Sequence, residues 1–260
     1  MVTAEELRAW RGRRRLSQLE LALRAGTTQR HLSFIESGRS VPGRGMILRL
    51  AEALDVPLRE RDDLLTNAGY APVYRHAAFD ADELAPVRGA LEQILVGHLP
   101  SPAVLTDGDN AILSANAAFD ALVAGVDPAL LAPGATVARL FLDVRGLAPR
   151  IRNLEVWGWH VIDGLRRHAE RDDRPRLARL AAELEAGLPP RERDAAPLGV
   201  AVPMVLATLD GAGELALLTT LTHFATTIDV TVAELTLEAF LPADAATARA
   251  LRQSARTRRA

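Results

Sequence analysis

The first third of the chain is patterned at helical spacing. Residues 4–15 read as one helix ending in RGRRR. A second begins within LSQLELALRAG. There Ser17 followed by Glu20 forms an S-x-x-E box, which satisfies two backbone N–H groups at a helix start. Leu19, Ala22 and Leu23 are its expected apolar stripe. Gly26 can take the left-handed conformation that ends a helix, and Thr28 can cap the next one. That third helix runs from about Gln29 to Ser37. At 100° per residue, Leu32 and Ile35 lie about 60° apart and face inward, with Thr28 beside them. Arg30, Ser33, Phe34 and Ser37 fall on the opposite side, with Gln29 at the tip and no acid among them.

Two short capped helices joined by a glycine-containing turn define a helix-turn-helix. The outward stripe of the third helix suits a groove lined by phosphates. There an arginine can pair with guanine, a glutamine with adenine, and an apolar ring can touch a thymine methyl. The competing reading is a plain helical hairpin with a polar outer face.

The pattern changes downstream. NAGYAPVYRHAAFDADE (67–83) interrupts the helices and holds both tyrosines, Tyr70 and Tyr74. They can dock two domains or pack on the first alone. From Asp82 to Leu99 helical spacing returns, in a connector, a dimer element, or both. Then PAVLTDGDNAILSANAAF reads as strand, turn, strand, helix. Helices are expected from Asn116, Thr136, Asn153 and Pro175. LGVAVPMVLATLDGAGELALLTTLTHF reads as a hairpin around DGAGE, and VTVAELTLEAFLP as a last strand. Five strands with helices between the second and third predict an antiparallel α+β sheet of the PAS type. The stretch 187–199 fits no strong pattern.

Composition narrows the function. A chain of 260 residues suffices for two modest domains. It has no cysteine, so disulfides, thiolate zinc sites and cysteine nucleophiles are excluded. No run of about 18 apolar residues suggests a membrane span, and MVTAEELRAW is unlike a secretory signal; a cytoplasmic, nucleoid-associated location is expected. Net charge is −2, but residues 1–50 carry ten Arg against four acids, leaving the remainder at −8. A basic head on an acidic body points to nucleic acid as partner. There is no G-x-S-x-G, Walker loop or H-E-x-x-H, and the histidines are scattered. No catalytic residue, metal ligand or enzyme activity is therefore expected. Asp107 and Asp109 read as turn formers.

The segment LSQLELALRAGTTQRHLSFIESGRSVP with LRLAEALDVP resembles the lambda-repressor/Cro-type (XRE) helix-turn-helix over residues 4–69. The resemblance implies five helices, with 28–37 as the recognition helix. It also implies that Gln18 contacts phosphate, that Arg39 or Ser40 contacts the backbone beyond, and that Glu36 pairs with Arg11 to brace the fold. With Thr28, Gln29, Arg30, Ser33 and Phe34 these make the expected DNA-binding set. Many relatives carry a polar residue at the position of Phe34. Arg13, Arg14 and Arg15 are expected to attract phosphate generally or to be solvated.

AVLTDGDNAILSANAAF, WGWHVIDGLRRHA and LLTTLTHFATTIDVTVAELTLEAFLPADAAT resemble the ligand-binding domain of MmyB-like transcription regulators. That resemblance implies a PAS-like domain enclosing an apolar cavity, with fatty-acid-like molecules as candidate ligands. Phe141, Trp157, Trp159, Met204, Phe224 and Phe240 are its candidate walls, and His160 or Arg139 the anchor for a carboxylate. Ordinary core packing competes for each wall, and a structural role competes for His160. Gly158, between the two tryptophans, permits close approach by a helix or a ligand.

The expected architecture is multidomain. Residues 1–72 form an all-α, five-helix, lambda-repressor-like DNA-binding head; 73–99 a linker and connector helix; and 100–260 an α+β PAS-like ligand-binding domain with an antiparallel sheet. The expected function is a homodimeric, sequence-specific transcriptional regulator of double-stranded DNA, controlled by a small apolar effector. The alternatives are a ligand-independent dimeric repressor, an enzyme fused to a DNA-binding head, and a protein-binding antitoxin-like module.

Overall fold

A computed structural model describes residues 2–191, 201–224 and 229–257. Within these the chain forms two units, one of residues 2–77, 170–173 and 229–233, the other of 78–169, 174–224 and 234–257.

The first unit holds helices α1 (Val2–Arg13), α2 (Gln18–Arg24), α3 (Gln29–Glu36), α4 (Arg44–Ala53) and α5 (Leu58–Asn67). Its core joins Leu7 and Trp10 of α1, Leu21 of α2, Leu32 and Ile35 of α3, Leu50 of α4 and Leu65 of α5. Caps fix the helix starts. Ser17 Oγ accepts from Glu20 N at 3.2 Å while Glu20 Oε2 accepts from Ser17 N at 2.7 Å. Thr28 Oγ1 accepts from His31 N at 3.1 Å. Gly26 closes α2 with φ +62°.

The expected stripe of α2 needs correction. Leu21, Ala22 and Ala25 are buried, whereas Leu19 and Leu23 are 51% and 71% exposed. Leucines at 19, 21 and 23 alternate across a helix, so only one side can be buried. Leu21 shares an arc of about 100° with Ala22 and Ala25. Those two small side chains let α2 lie close to its neighbours.

Beyond α5 the chain stays in this unit. Buried Asp62 accepts from Val73 N at 2.7 Å, Tyr74 N at 3.2 Å and His76 Nε2 at 2.8 Å. Tyr70 packs on the core, and Tyr74 Oη accepts from Arg61. Residues 229–233 complete the unit: Val230 N donates to Arg75 O at 2.8 Å, and Thr231 Oγ1 to Ala77 O at 2.6 Å.

The second unit contains α6 (Ala85–Gly97), strands β1 (Ala103–Thr106) and β2 (Ile112–Ala115), helices α7 (Ala117–Leu122), α8 (Val137–Leu142), α9 (Leu154–Asp172, up to residue 169) and α10 (Pro175–Glu185), strands β3 (Met204–Ala207), β4 (Glu214–His223) and β5 (Thr236–Pro242), and α12 (Ala245–Thr257). The sheet is antiparallel, in the order β2-β1-β5-β4-β3. Asn116 and Thr136 cap α7 and α8. Asn116 Nδ2 also donates to Leu95 O and Ser101 O, which ties α6 to the sheet. The helix expected as a connector is thus part of this unit.

The last strand starts later than its residues suggest. Val230–Ala233 is a helical turn, α11 in chain order, because Asp229 Oδ1 accepts from Val232 N at 3.1 Å and Asp229 O accepts from Ala233 N at 3.0 Å.

Register assigns the two faces of the sheet. Directly opposed residues share a face, so Val104, Glu238 and Leu221 lie in one row and Phe240 and Thr219 in the next. That face carries the main core. Val104, Met204, Leu217 and Phe240 pack with Phe119 of α7, Phe141 of α8, Trp157 of α9 and Leu177 of α10. On the reverse face Ala103, Leu105, Leu237 and Ala239 are buried, and Ala216 N donates to Thr247 Oγ1 of α12.

Candidate functional site

The outer side of α3 carries the stripe expected from its sequence. Thr28, Gln29 and Arg30 are exposed, and Ser33 and Phe34 half-buried. The guanidinium carbons of Arg30 and Arg39 lie 5.5 Å and 6.0 Å from the centre of the Phe34 ring, within cation–π range. The Phe34 carbonyl accepts from Arg39 N at 2.8 Å and Ser40 N at 3.1 Å, which holds exposed Arg39 and half-buried Ser40 beside the helix end.

The one acid of α3 is withdrawn from this face. Glu36 keeps 3% of its side-chain exposure. Arg11 grips it with Nε to Oε1 at 2.7 Å and Nη2 to Oε2 at 2.8 Å, and Gln18 Nε2 donates to Oε2 at 2.9 Å. Burial alone would raise the Glu36 carboxyl; the hydrogen bonds from Arg11 and Gln18 outweigh it and hold the carboxyl below its usual range. The expected brace is present. Gln18, expected on phosphate, spends its amide donor on this brace.

The basic run after α1 divides. Arg14 donates from Nε to Leu54 O at 2.7 Å and from Nη2 to Asp55 O at 2.7 Å, so it serves the fold. Arg13 pairs with Asp173 at 2.6 Å and stacks on Trp10 at 4.8 Å. Arg15 is exposed.

In the second unit, the structure buries four of the wall candidates in one core, packs Trp159 against it and leaves Phe224 outside. Phe141 stacks on Phe240 at 5.1 Å and meets Trp157 at 5.7 Å. Met204 is fully buried in the same core. Phe119, which the sequence reading passed over, touches both phenylalanines, at 6.3 Å and 6.1 Å. Its signal was its place three residues after the capping Asn116. Trp159 is only partly buried and donates from Nε1 to Pro189 O at 3.0 Å. Phe224 is half-buried outside the cluster, and His160 is exposed. Arg139 pairs with Glu183 at 2.5 Å, both partly exposed. The two proposed carboxylate anchors therefore lie at the surface and not among the aromatic rings. Gly158 is closely approached, by Leu188: a Cβ there would sit 2.7 Å from its Cδ2.

A polar group that the sequence reading missed lies on the core face of the sheet. Glu238 is two residues before Phe240 on β5 and between Val104 and Leu221. Asn110 Nδ2 donates to its Oε1 at 3.1 Å. Burial pushes its carboxyl up to about 7, against the lesser opposing effect of Asn110. Asn110 has φ +66° at the β1–β2 turn and accepts from Ala138 N of α8 at 2.8 Å. The turn and α8 together position the amide. The signal was available: strand alternation puts an acid on the face of Phe240.

Among the described residues, no group of three or more His, Asp and Glu is placed to hold a metal ion, and no helix is long and apolar enough to cross a membrane.

Residues 87–253 match the family described as the MmyB-like transcription regulator ligand binding domain, and residues 7–61 the family described as helix-turn-helix. The HTH-type transcriptional regulator y4dL of Sinorhizobium fredii (strain NBRC 101917 / NGR234) is 35% identical over 95 residues, covering 36% of this chain and 46% of that protein. The solved structure of an RNA-binding light-oxygen-voltage receptor aligns with 90% of this chain and 54% of its own, at 15% identity and a TM-score of 0.28. The match thus spans about half the length of that curated regulator. The match over residues 87–253 covers well over half of the chain and includes the whole five-stranded sheet. On that match, behind a helix-turn-helix whose caps and brace are in place, the chain belongs to the family of MmyB-like transcription regulators.

Proposed function

We propose that the protein is a sequence-specific, DNA-binding transcriptional regulator, acting in the cytoplasm as a homodimer and controlled by a small apolar, fatty-acid-like effector held by its PAS-like second unit. The observation that carries the DNA-binding reading is the acid-free stripe of Gln29, Arg30 and Phe34 on the second helix of a helix-turn-helix, with Arg39 stacked on the same ring. Two such heads would read half-sites about one helical turn, ~34 Å, apart. Arg30 and Gln29 read base edges, while Thr28, Ser33, Arg39 and Ser40 serve the phosphates. Gln18 contributes what its bond to Glu36 leaves over.

The effector acts by binding one conformation better than another. Moving a population from about 1:99 to 99:1 takes about 5.5 kcal/mol of differential affinity. A fatty-acid-like chain would lie against the core face of the sheet beside Phe240.

The deciding experiment selects an operator from a random duplex library and measures Arg30→Ala on it. Loss of one bidentate base contact costs about 1–3 kcal/mol on the operator and much less on unrelated DNA. An equal loss on both, or a library that yields no preferred site, overturns base reading.

One observation favours a second reading. Phe119, Phe141, Trp157 and Phe240 fill their space by touching one another, as the core of a ligand-independent dimeric repressor would. Denaturing extraction of protein purified from cells, followed by mass spectrometry, separates the two. A stoichiometric amphiphile supports the effector reading, and its absence from operator-binding protein supports the repressor.

A further inference from the structure

Residues 245–260 carry five arginines and no acid, which leaves 51–244 at −13. Three of those arginines lie on α12. Its inner side is set by Thr247 and Leu251, both buried. Asp244 Oδ1 accepts from Thr247 N at 2.7 Å and so caps the helix. Thr247 Oγ1 accepts from Ala216 N of β4 at 3.0 Å, which fixes the helix against the sheet. At 100° per residue, Arg249, Arg252 and Arg256 then fall within about 60° of one another, turned away from Leu251. All three are exposed, and they span about 10 Å of helix.

Elsewhere in this unit arginine is met by carboxylate. Arg139 pairs with Glu183, Arg166 with Glu185, Arg174 with Glu234 and Arg191 with Asp163. Among the described residues, Arg249, Arg252 and Arg256 make no ion pair or hydrogen bond. The bond from Thr247 N holds the Asp244 carboxyl low, with a lesser pull from Arg249. A solvated helix face carries acids three or four residues from its bases. Here those spacings set Arg249 against Arg252 and Arg252 against Arg256, so like charges repel along the row. Arg256, in the last turn, complements the helix dipole; Arg249 and Arg252 lie before that turn.

A polyanion relieves that repulsion, and a guanidinium pairs with phosphate through two parallel hydrogen bonds. Duplex DNA fits better than a bilayer. Leu251 is the one large apolar residue of α12 and is buried, so no apolar side is left to enter lipid. We propose that Arg249, Arg252 and Arg256 form a second, sequence-independent contact with the phosphates of duplex DNA, separate from α3 and carried by the ligand-binding unit. This proposal rests on DNA being the partner of the helix-turn-helix.

The test uses the full chain with all three arginines changed to Gln. Fluorescence anisotropy measures its affinity across a salt series, on a duplex carrying the selected operator and on a random duplex. The slope of log affinity against log salt is expected to fall on both duplexes by about 1.8–2.7 per protomer, two to three phosphates at about 0.9 each. The preference for the operator is expected to stay as in wild type. The slope that remains in the Gln variant is then that of the first unit. A smaller fall, or a lost preference, overturns the proposal. Loss of self-association by sedimentation, or of binding to phosphatidylserine vesicles, alongside that smaller fall would reassign the row to a second copy or to a membrane. Changing the three arginines to Lys preserves the charge and is expected to keep the wild-type slope; a Lys variant that loses as much as the Gln variant also overturns the proposal. Wild-type protein with no preferred operator overturns base reading by α3 but not this contact, which random DNA still reports. Wild-type protein that binds no duplex overturns both.

Discussion

At the scale of single residues, two carboxyl groups are treated in opposite ways. Glu36 is buried but gripped by Arg11 and Gln18, and its carboxyl is held low. It therefore stabilises the fold above its unfolded titration range, and that contribution is lost as pH falls through the lower, folded range. Glu36→Ala leaves the half-buried Arg11 without its partner and should destabilise the first unit by about 3 kcal/mol, read from urea denaturation at neutral pH. The same variant should be less sensitive than wild type to acid. Glu238 runs the other way. Its carboxyl is raised from 4.5 to about 7, so the folded state holds a proton that the unfolded chain has released. Stability accordingly falls as pH rises from about 4.5 to about 7, by up to ~3 kcal/mol, and is flat beyond. Glu238→Gln should abolish that slope, so its melting temperature should exceed that of wild type at pH 8 and approach it at pH 5. A wild-type stability that rises across this window would contradict the assignment.

At the scale of elements, the helix starts are legible in the sequence because a cap is a local event. Ser17, Thr28, Asn116 and Thr136 each bond within three residues. The outer face of α3 is legible for a related reason: Leu32 and Ile35 lie about 60° apart and mark the side to be buried, and Phe34 falls outside that arc. The buried side of α2 is not legible, since Leu19 and Leu23 offer as much apolar area as Leu21. Tertiary packing decides it. Leu21→Ala should cost about 2–5 kcal/mol, whereas Leu23→Ala should stay within about 0.5 kcal/mol; thermal melts of the two variants distinguish them. Local propensity misleads again at Val230–Ala233. A β-branched run forms a helical turn because the Asp229 carboxylate accepts from Val232 N and the Asp229 carbonyl from Ala233 N. In the candidate effector site, the aromatic walls could be chosen by type, because large apolar residues of α8, α9 and β5 meet in the core. Arg139 and His160 are legible only by type, since a charge says nothing about which side of a helix it occupies. Glu238 needed the strand order as well as the alternation, since β5 becomes a central strand only when β1 and β4 flank it.

At the scale of the whole molecule, charge is sorted along the chain. Ten arginines and four acids lie in the first 50 residues, yet several of these arginines are engaged within the fold. Arg11 holds Glu36, and Arg14 holds the carbonyls of Leu54 and Asp55. The number of phosphates neutralised should accordingly be well below ten per head, and the slope of log affinity against log salt on random DNA, about −0.9 per phosphate, measures it. A slope that demanded every arginine would mean that these internal bonds open on DNA. The ring of Phe34 bears on the same encounter. By resting against Arg30 and Arg39 before any duplex arrives, it has already spent part of the rotational freedom that long side chains surrender on docking. Phe34→Ala should therefore shorten the lifetime of the operator complex while leaving its ionic-strength dependence unchanged, because the positive charges remain and only their readiness is lost.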